Sequence, residues 1–112
     1  MASDPKTIAF ILDQASSAGD VTARAMFGEY GIYCGDRLVA LVCDDQLFLK
    51  PTAGNRRLAP DAEEAPPYPG AKPCLLIDPD RWDDREWMAD LFRTTAAELP
   101  APKPKRRNLA TR

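Results

Sequence analysis

Residues 30–50, YGIYCGDRLVALVCDDQLFLK, decide the fold of this chain. Gly35-Asp36 separates two runs rich in apolar and aromatic residues, and the pair suits a tight hairpin turn with glycine first. Asp44-Asp45 separates the second run from a third and predicts another hairpin, with less ideal turn residues. A short strand at about residues 22–26 precedes them. The stretch therefore predicts a meander of four antiparallel strands.

Counting outward from these turns assigns side chains to the two faces of the sheet, because neighbours alternate along a strand. The first turn sets Ile32 opposite Val39 and Tyr30 opposite Leu41. One face then collects an apolar set that we expect to form the core: Tyr33, Leu38, Ala40, Val42, Leu47 and Leu49. The opposite face is also apolar and collects Tyr30, Ile32, Val39, Leu41 and Phe48, rimmed by Arg37, Gln46 and Lys50.

The second apolar face needs a cover, since a sheet face left in water normally carries polar residues. Fully burying five such side chains contributes about 1.5–3 kcal/mol each, and an exposed apolar patch usually marks an interface. We expect a second copy of the chain to cover this face, because two-fold homodimers are the commonest assembly. The alternative is that the loop at residues 51–73, or a helix, folds over it.

Amphipathic segments flank the strands on both sides. The first predicts a helix at about residues 5–17, with Asp4 as its cap. The second predicts a helix that begins at Asp83, which has the capping-box spacing to Glu86, and that ends before Pro100. These two helices are expected to cover the core face.

Residues 51–73 contain six prolines and predict a loop. A helical turn is expected at Asn55–Leu58, with Asn55 as its cap and Pro60 as its stop. The run at residues 63–73 is too rich in proline for a central strand, and Cys74–Ile77 predicts a fifth strand. The predicted fold class is α+β, with two layers: an antiparallel sheet of about five strands packed against N- and C-terminal helices.

Charge divides the chain of 112 residues into a domain at 1–100 and a basic, proline-containing tail at 101–112, which we expect to be disordered. The last ten residues carry +5, from Lys103, Lys105, Arg106, Arg107 and Arg112, whereas the preceding 102 carry −7. An acidic body repels phosphate backbones. We therefore expect nucleic acid to be contacted only through the tail. Core and interface packing is the better account of the aromatic residues than base stacking.

The residue types argue against catalysis. The chain has no histidine, and its three cysteines form no C-x-x-C pair, which argues against a zinc site and a disulfide framework. Cys34, across a hairpin end from Arg37, is the one candidate for a reactive thiol. We expect no enzyme, catalytic residue, metal or cofactor. No apolar run approaches the ~20 residues of a membrane span, and no signal peptide precedes the first helix, so we expect a cytoplasmic protein without membrane contact.

The stretch from Val21 to Lys50 resembles the N-terminal domain of the TfoX/Sxy proteins, regulators of bacterial natural competence. The resemblance rests on an R-x-M-F-G-x-Y-G motif at Arg24, Met26, Phe27, Gly28, Tyr30 and Gly31. It continues through residues 32–50 and, more weakly, through Asn55-Arg56, Tyr68 and Trp87, covering about residues 4–99 in all. It implies a two-layer α+β domain in a secretion-chaperone-like arrangement, often paired as a dimer, with no catalytic residue or cofactor.

The family regulators are thought to act with the cyclic-AMP receptor protein at competence promoters, through two domains of which this chain resembles the first. Our first function hypothesis is a non-enzymatic regulatory or protein-interaction domain that works as a homodimer. The alternative is a DNA-associated transcriptional or competence regulator, with phosphate contacts from the tail and a transcription-factor partner. The residues do not identify a further protein partner or a pathway.

Overall fold

A computed structural model describes residues 3–26 and 29–100, and at Met26 it describes the backbone only. In chain order the helices and strands are Pro5–Gln14 (α1), Val21–Met26 (β1), Glu29–Cys34 (β2), Arg37–Cys43 (β3), Gln46–Leu49 (β4), Ala53–Leu58 (α2), Glu63–Ala65 (β5), Cys74–Ile77 (β6) and Arg85–Glu98 (α3). Two short 3-10 turns add Ser16–Ala18 and Pro79–Arg81.

The strands form one antiparallel sheet in the order β1-β2-β3-β4-β6-β5. Its first four strands are the predicted meander, and both predicted hairpin turns form. Gly35 has a φ of 64°, as a turn with glycine first requires. Asp44 and Asp45 have φ values of 53° and 59°, a left-handed conformation that aspartate tolerates better than most residues. The predicted α+β class is confirmed.

The sheet has six strands rather than about five, because Glu63–Ala65 forms β5. The prediction of a loop there is wrong. The strand is only three residues long and pairs with β6 at the edge of the sheet. An edge strand tolerates neighbouring prolines such as Pro60 and Pro66, because one row of its backbone groups needs no partner.

The helix boundaries differ from the predicted ones at three caps. The first helix ends at Gln14 instead of residue 17, and the chain continues as a 3-10 turn to Gly19. The last helix is capped by Asp84 instead of Asp83, because the Asp84 carboxylate accepts the Trp87 backbone N–H at 3.1 Å. The cap of α2 is Thr52, three residues before Asn55.

A β-bulge between β2 and β3 changes which side chains face the helices. Tyr33 lies opposite Leu38 as predicted, but Ile32 lies opposite Ala40, so Val39 is the extra residue. Ile32 and Val39 are consequently fully buried in the core, and the prediction that they face away from the helices is wrong. This core lies between the sheet and helices α1 and α3.

The other predicted core positions divide at the same bulge. Four of them are fully buried as predicted: Ala40, Val42, Leu47 and Leu49. Tyr33 and Leu38 are instead half-buried and lie outside the core cluster. This pair lies between the Gly35-Asp36 turn and the bulge, where the faces are the reverse of those predicted. The bulge therefore moves Tyr33 and Leu38 to the side away from the helices, and Tyr30, Ile32 and Val39 to the core side.

A buried amide fixes the end of β4 against α3. Asn55 is fully buried, and its Nδ2 donates to Lys50 O at 2.7 Å and to Thr95 Oγ1 at 2.8 Å. Its Oδ1 accepts the Thr52 backbone N–H at 2.8 Å. The Thr95 hydroxyl in turn donates to Leu91 O at 2.6 Å. This network sets the position of Lys50, which borders the site described next.

Candidate functional site

The sheet face opposite α1 and α3, here called the outer face, carries apolar side chains at its centre. Leu41 on β3 and Phe48 on β4 lie opposite each other, and neither belongs to the core cluster. Phe48 is only 4% exposed, whereas Leu41 is half-buried. The middle of the outer face is therefore covered over β4 and open over β3.

A groove of about 750 Å³ runs along the open part of this face, and we call it the outer groove. Leu38, Leu41 and Cys43 form its floor, and Tyr30, which lies opposite Val42 and packs against the core, borders it. The loop residues Pro67, Tyr68 and Pro69 form one wall, with Pro67 buried and Tyr68 56% exposed at the rim. The expected alternative cover, the segment at residues 51–73, thus bounds the outer face but leaves the groove open.

Opposite charges stand at the two ends of the outer groove. Lys50 lies at one end, where its backbone N–H donates to Val39 O at 2.9 Å. The exposed Asp44 lies at the other end, in the turn that follows β3 and five residues beyond Val39, or roughly 17 Å away at the rise of a strand. Glu29 stands beside Asp44. The groove is an apolar strip with a cation at one end and carboxylates at the other.

The carboxylate of Glu29 ties the start of the chain to the turn between β3 and β4. Its Oε1 accepts the Ser3 backbone N–H at 3.0 Å and the Ser3 hydroxyl at 2.7 Å. Its Oε2 accepts the Asp44 backbone N–H at 3.0 Å. Partial burial raises the pKa of Glu29, but these hydrogen bonds lower it more, so the pKa lies below the ordinary value of 4.5. The lowered pKa favours the charged carboxylate of Glu29, which adds negative charge to the Asp44 end of the groove.

Replacing Glu29 with glutamine is expected to lower the free energy of unfolding by about 1 kcal/mol at pH 7, through loss of the charge-assisted hydrogen bonds. A carboxyl whose pKa is lower in the folded state stabilises the fold above its unfolded-state pKa. The contribution should therefore be full above about pH 4.5 and disappear as the pH falls through the folded-state value. Urea unfolding of both proteins at pH 7 and pH 3 checks this, and a difference that does not shrink at low pH would contradict it.

The three cysteines share a raised thiol pKa. Burial raises the pKa of the Cys34, Cys43 and Cys74 thiols, and nearby Asp20 raises that of Cys34 further. A raised pKa lowers the fraction of reactive thiolate. Across residues 3–26 and 29–100, no three potential metal ligands come together.

The five residues predicted to form an interface do not all lie on one face of the sheet. Leu41 lines the outer groove and Phe48 is buried on the outer face, whereas Ile32 and Val39 belong to the core. Tyr30 lies opposite Val42 instead of Leu41 and packs against the core, so its predicted outward position is wrong as well. Sequence reasoning placed Leu38 on the core face because it assumed unbroken alternation, and it did not assign Cys43 to the outer face. It also gave no position for the loop residues of the groove wall: Pro67, Tyr68 and Pro69. The proline-rich run was the signal for the loop wall.

The motif residues lie at the start of the sheet. Gly31 sits opposite Leu41 on one side and Arg24 on the other, and the Arg24 guanidinium lies 4.9 Å from the centre of the Tyr33 ring. Phe27 and Gly28 lie outside the described residues, as do the Met26 side chain and the four tail residues predicted to contact nucleic acid: Lys103, Lys105, Arg106 and Arg107.

Comparison with known proteins agrees with this architecture. The model of the TfoX N-terminal domain matches residues 13–99, most of the chain. This chain belongs to the TfoX N-terminal domain family. A relative from Spirochaeta aurantia, described as an uncharacterized 12.7 kDa protein in the trpE 5′ region, is 40% identical over 111 residues. The match covers 99% of this chain and 96% of that relative.

The TfoX N-terminal domain described here therefore has the antiparallel α+β fold that the resemblance implied. Its likeness to secretion chaperones stays a prediction. Within the described part of the chain, none of the helices is both long and apolar enough to cross a membrane. The description of the Spirochaeta aurantia protein names no activity.

Proposed function

We propose that this TfoX N-terminal domain is a non-enzymatic regulatory domain that acts by binding proteins, and that the outer groove holds a second copy of the chain. The observation that carries the proposal is the composition of the groove: a half-buried leucine at its centre, an exposed tyrosine at its rim, and opposite charges at its ends. Apolar patches rimmed by polar residues mark association sites on soluble domains.

The apolar groove residues support association rather than catalysis. Leu38 and Leu41 are half-buried in one chain and would be fully buried between two chains, which stabilises association by about 25 cal/mol per Å² of apolar surface removed from water. Tyr68 adds an aromatic side chain, a residue type enriched at the centres of interfaces. Three thiols with raised pKa values leave no activated nucleophile among them.

Alkylation of the native cysteines tests whether the outer groove is covered in solution. Cys43 lines the groove, whereas Cys34 lies away from it, with its thiol directed to Ala18 O. We expect the alkylation rate of Cys43 to rise severalfold when the protein is diluted through the dissociation constant of the dimer, while the rate at Cys34 stays constant. Peptide mass spectrometry measures both in one sample. Rates at Cys43 and Cys34 that respond identically to dilution would contradict a covered groove.

The second candidate function is association with DNA, and one feature of the structure favours it. Pro100, the last described residue, lines a small cleft of about 370 Å³ together with Tyr33, Arg37 and Lys50. The described part of the chain therefore ends beside two cations. In this alternative the tail and these cations contact phosphates, and a transcription factor supplies sequence recognition.

Deleting residues 101–112 is expected to abolish any DNA binding by the full chain, because the tail holds five positive charges and the remaining body is acidic. Fluorescence anisotropy with a duplex at 20 and 150 mM salt checks this, since a tail-driven affinity falls steeply with salt. DNA binding that survives the deletion, or that ignores salt, would rule out the tail as the contact.

A further inference from the structure

We propose that the two chains stack their outer faces in antiparallel register, with Lys50 of each chain against Asp44 of the other, and this rests on the proposed homodimer. The occupant of the outer groove is then a second copy in one defined orientation. The charges at the two ends of the groove carry this inference.

A two-fold axis that relates two stacked faces lies in the plane between them. An axis perpendicular to β3 exchanges the ends of the groove, whereas an axis along β3 places like ends together. The first arrangement sets Lys50 against the partner's carboxylates twice, once at each end of the interface. The second places Lys50 against Lys50 and Asp44 against Asp44, and such like-charge contacts disfavour an interface.

The position of the leucine at the groove centre agrees with the first arrangement. Leu41 on β3 lies two residues beyond Val39, whose backbone carbonyl accepts the hydrogen bond from Lys50, and three residues before Asp44. An axis midway between the two charged ends therefore passes close to Leu41. The apolar centre of each groove then meets the apolar centre of the other, while both charged ends find opposite charges.

Cations elsewhere in the domain do not offer the same match. Arg56, Arg85 and Arg93 already pair with carboxylates of their own chain. In the described part of the chain, neither Lys50 nor Asp44 forms a salt bridge. Both charges are therefore free to pair across an interface.

Cross-linking distinguishes the two registers. In a background with its three cysteines replaced by serine, we would prepare Lys50→Cys and Asp44→Cys separately and treat each with a short bifunctional thiol reagent. The antiparallel register predicts no cross-linked dimer from either variant alone and a cross-linked dimer from their mixture. Self-cross-linking of each variant, with none gained by mixing, would overturn the register while leaving the homodimer intact.

Charge reversal supplies a second test that keeps the native cysteines. Lys50→Glu should weaken the dimer about tenfold at low salt, because it replaces two attractive contacts with two repulsive ones, and the loss should shrink at 0.5 M salt. Lys72→Glu, which makes the same change at an exposed loop residue outside the groove, should have no effect. An unchanged dissociation constant for Lys50→Glu overturns the antiparallel register. A wild type that is monomeric at every concentration refutes the proposed homodimer itself. A dimer in which neither the single variants nor their mixture cross-link has its contact on another face.

Discussion

Replacing Asn55 with alanine is expected to lower the free energy of unfolding by about 3 kcal/mol. The amide is fully buried and makes three side-chain hydrogen bonds, to Lys50 O, Thr95 Oγ1 and the Thr52 N–H. Truncation leaves the fully buried Thr95 hydroxyl without the amide and removes two part-buried hydrogen bonds, to Lys50 O and the Thr52 N–H. Each lost bond to a group that stays buried costs about 1 kcal/mol or more.

Urea unfolding at pH 7, followed by circular dichroism, measures the loss. Arg57→Ala is the matched control, since Arg57 lies on the same helix with an exposed side chain and should change the free energy of unfolding by less than about 0.5 kcal/mol. Equal effects from the two substitutions would show that the loss comes from the helix and not from the buried network.

Asn55→Asp separates the loss of hydrogen bonds from the loss of volume. The aspartate has the shape of the asparagine, but its carboxylate faces Lys50 O without a donor. We expect a destabilisation at least as large as that of alanine at pH 7. A partial recovery should develop as the pH falls towards about 4, because burial without a donor raises the pKa of this carboxyl above its unfolded-state value and its protonated form can donate. Destabilisation that does not depend on pH would argue against this assignment of donor and acceptor.

Leu41→Lys is expected to convert the dimer to a monomer, with the dissociation constant rising at least about a hundredfold. In the proposed assembly Leu41 lies near the two-fold axis, so the substitution brings two lysines together in an apolar environment. Burying such charges without partners costs several kcal/mol, well above the 2.7 kcal/mol that corresponds to a hundredfold change.

The monomer itself should tolerate Leu41→Lys, because Leu41 is half-buried and lies outside the core cluster. Its far-ultraviolet spectrum should match that of the wild type. Ala97→Lys adds the same charge at an exposed position of α3 and should leave the dimer unchanged. A dimer that is equally weakened by both substitutions would point to net charge rather than to the outer face.

The sequence predicted the meander because its turns carry clear signals. Gly35-Asp36 and Asp44-Asp45 interrupt apolar runs of strand length, and both turns form as expected. The β-bulge carried no such signal. Because β3 is apolar at successive positions on both faces, the pattern fits either register, and one extra residue at Val39 exchanges the faces without leaving a polar residue in the core.

The candidate site was predicted in part. The apolar character of β3 indicated that the outer face needs a cover, and Leu41 was placed correctly on it. Tyr30, Ile32 and Val39 were misplaced because the prediction assumed unbroken alternation. The wall formed by Pro67–Pro69 could not be placed, since a proline-rich loop has no periodicity that shows what it packs against.

The mass of the wild-type chain in solution, measured by light scattering over 1–100 μM, tests the central claim most directly. Self-association through the outer face predicts about twice the chain mass of 12.4 kDa at the upper concentrations, and a single-chain mass for Leu41→Lys under the same conditions. A wild type that stays at 12.4 kDa throughout, or a Leu41→Lys variant that keeps the doubled mass, would contradict it.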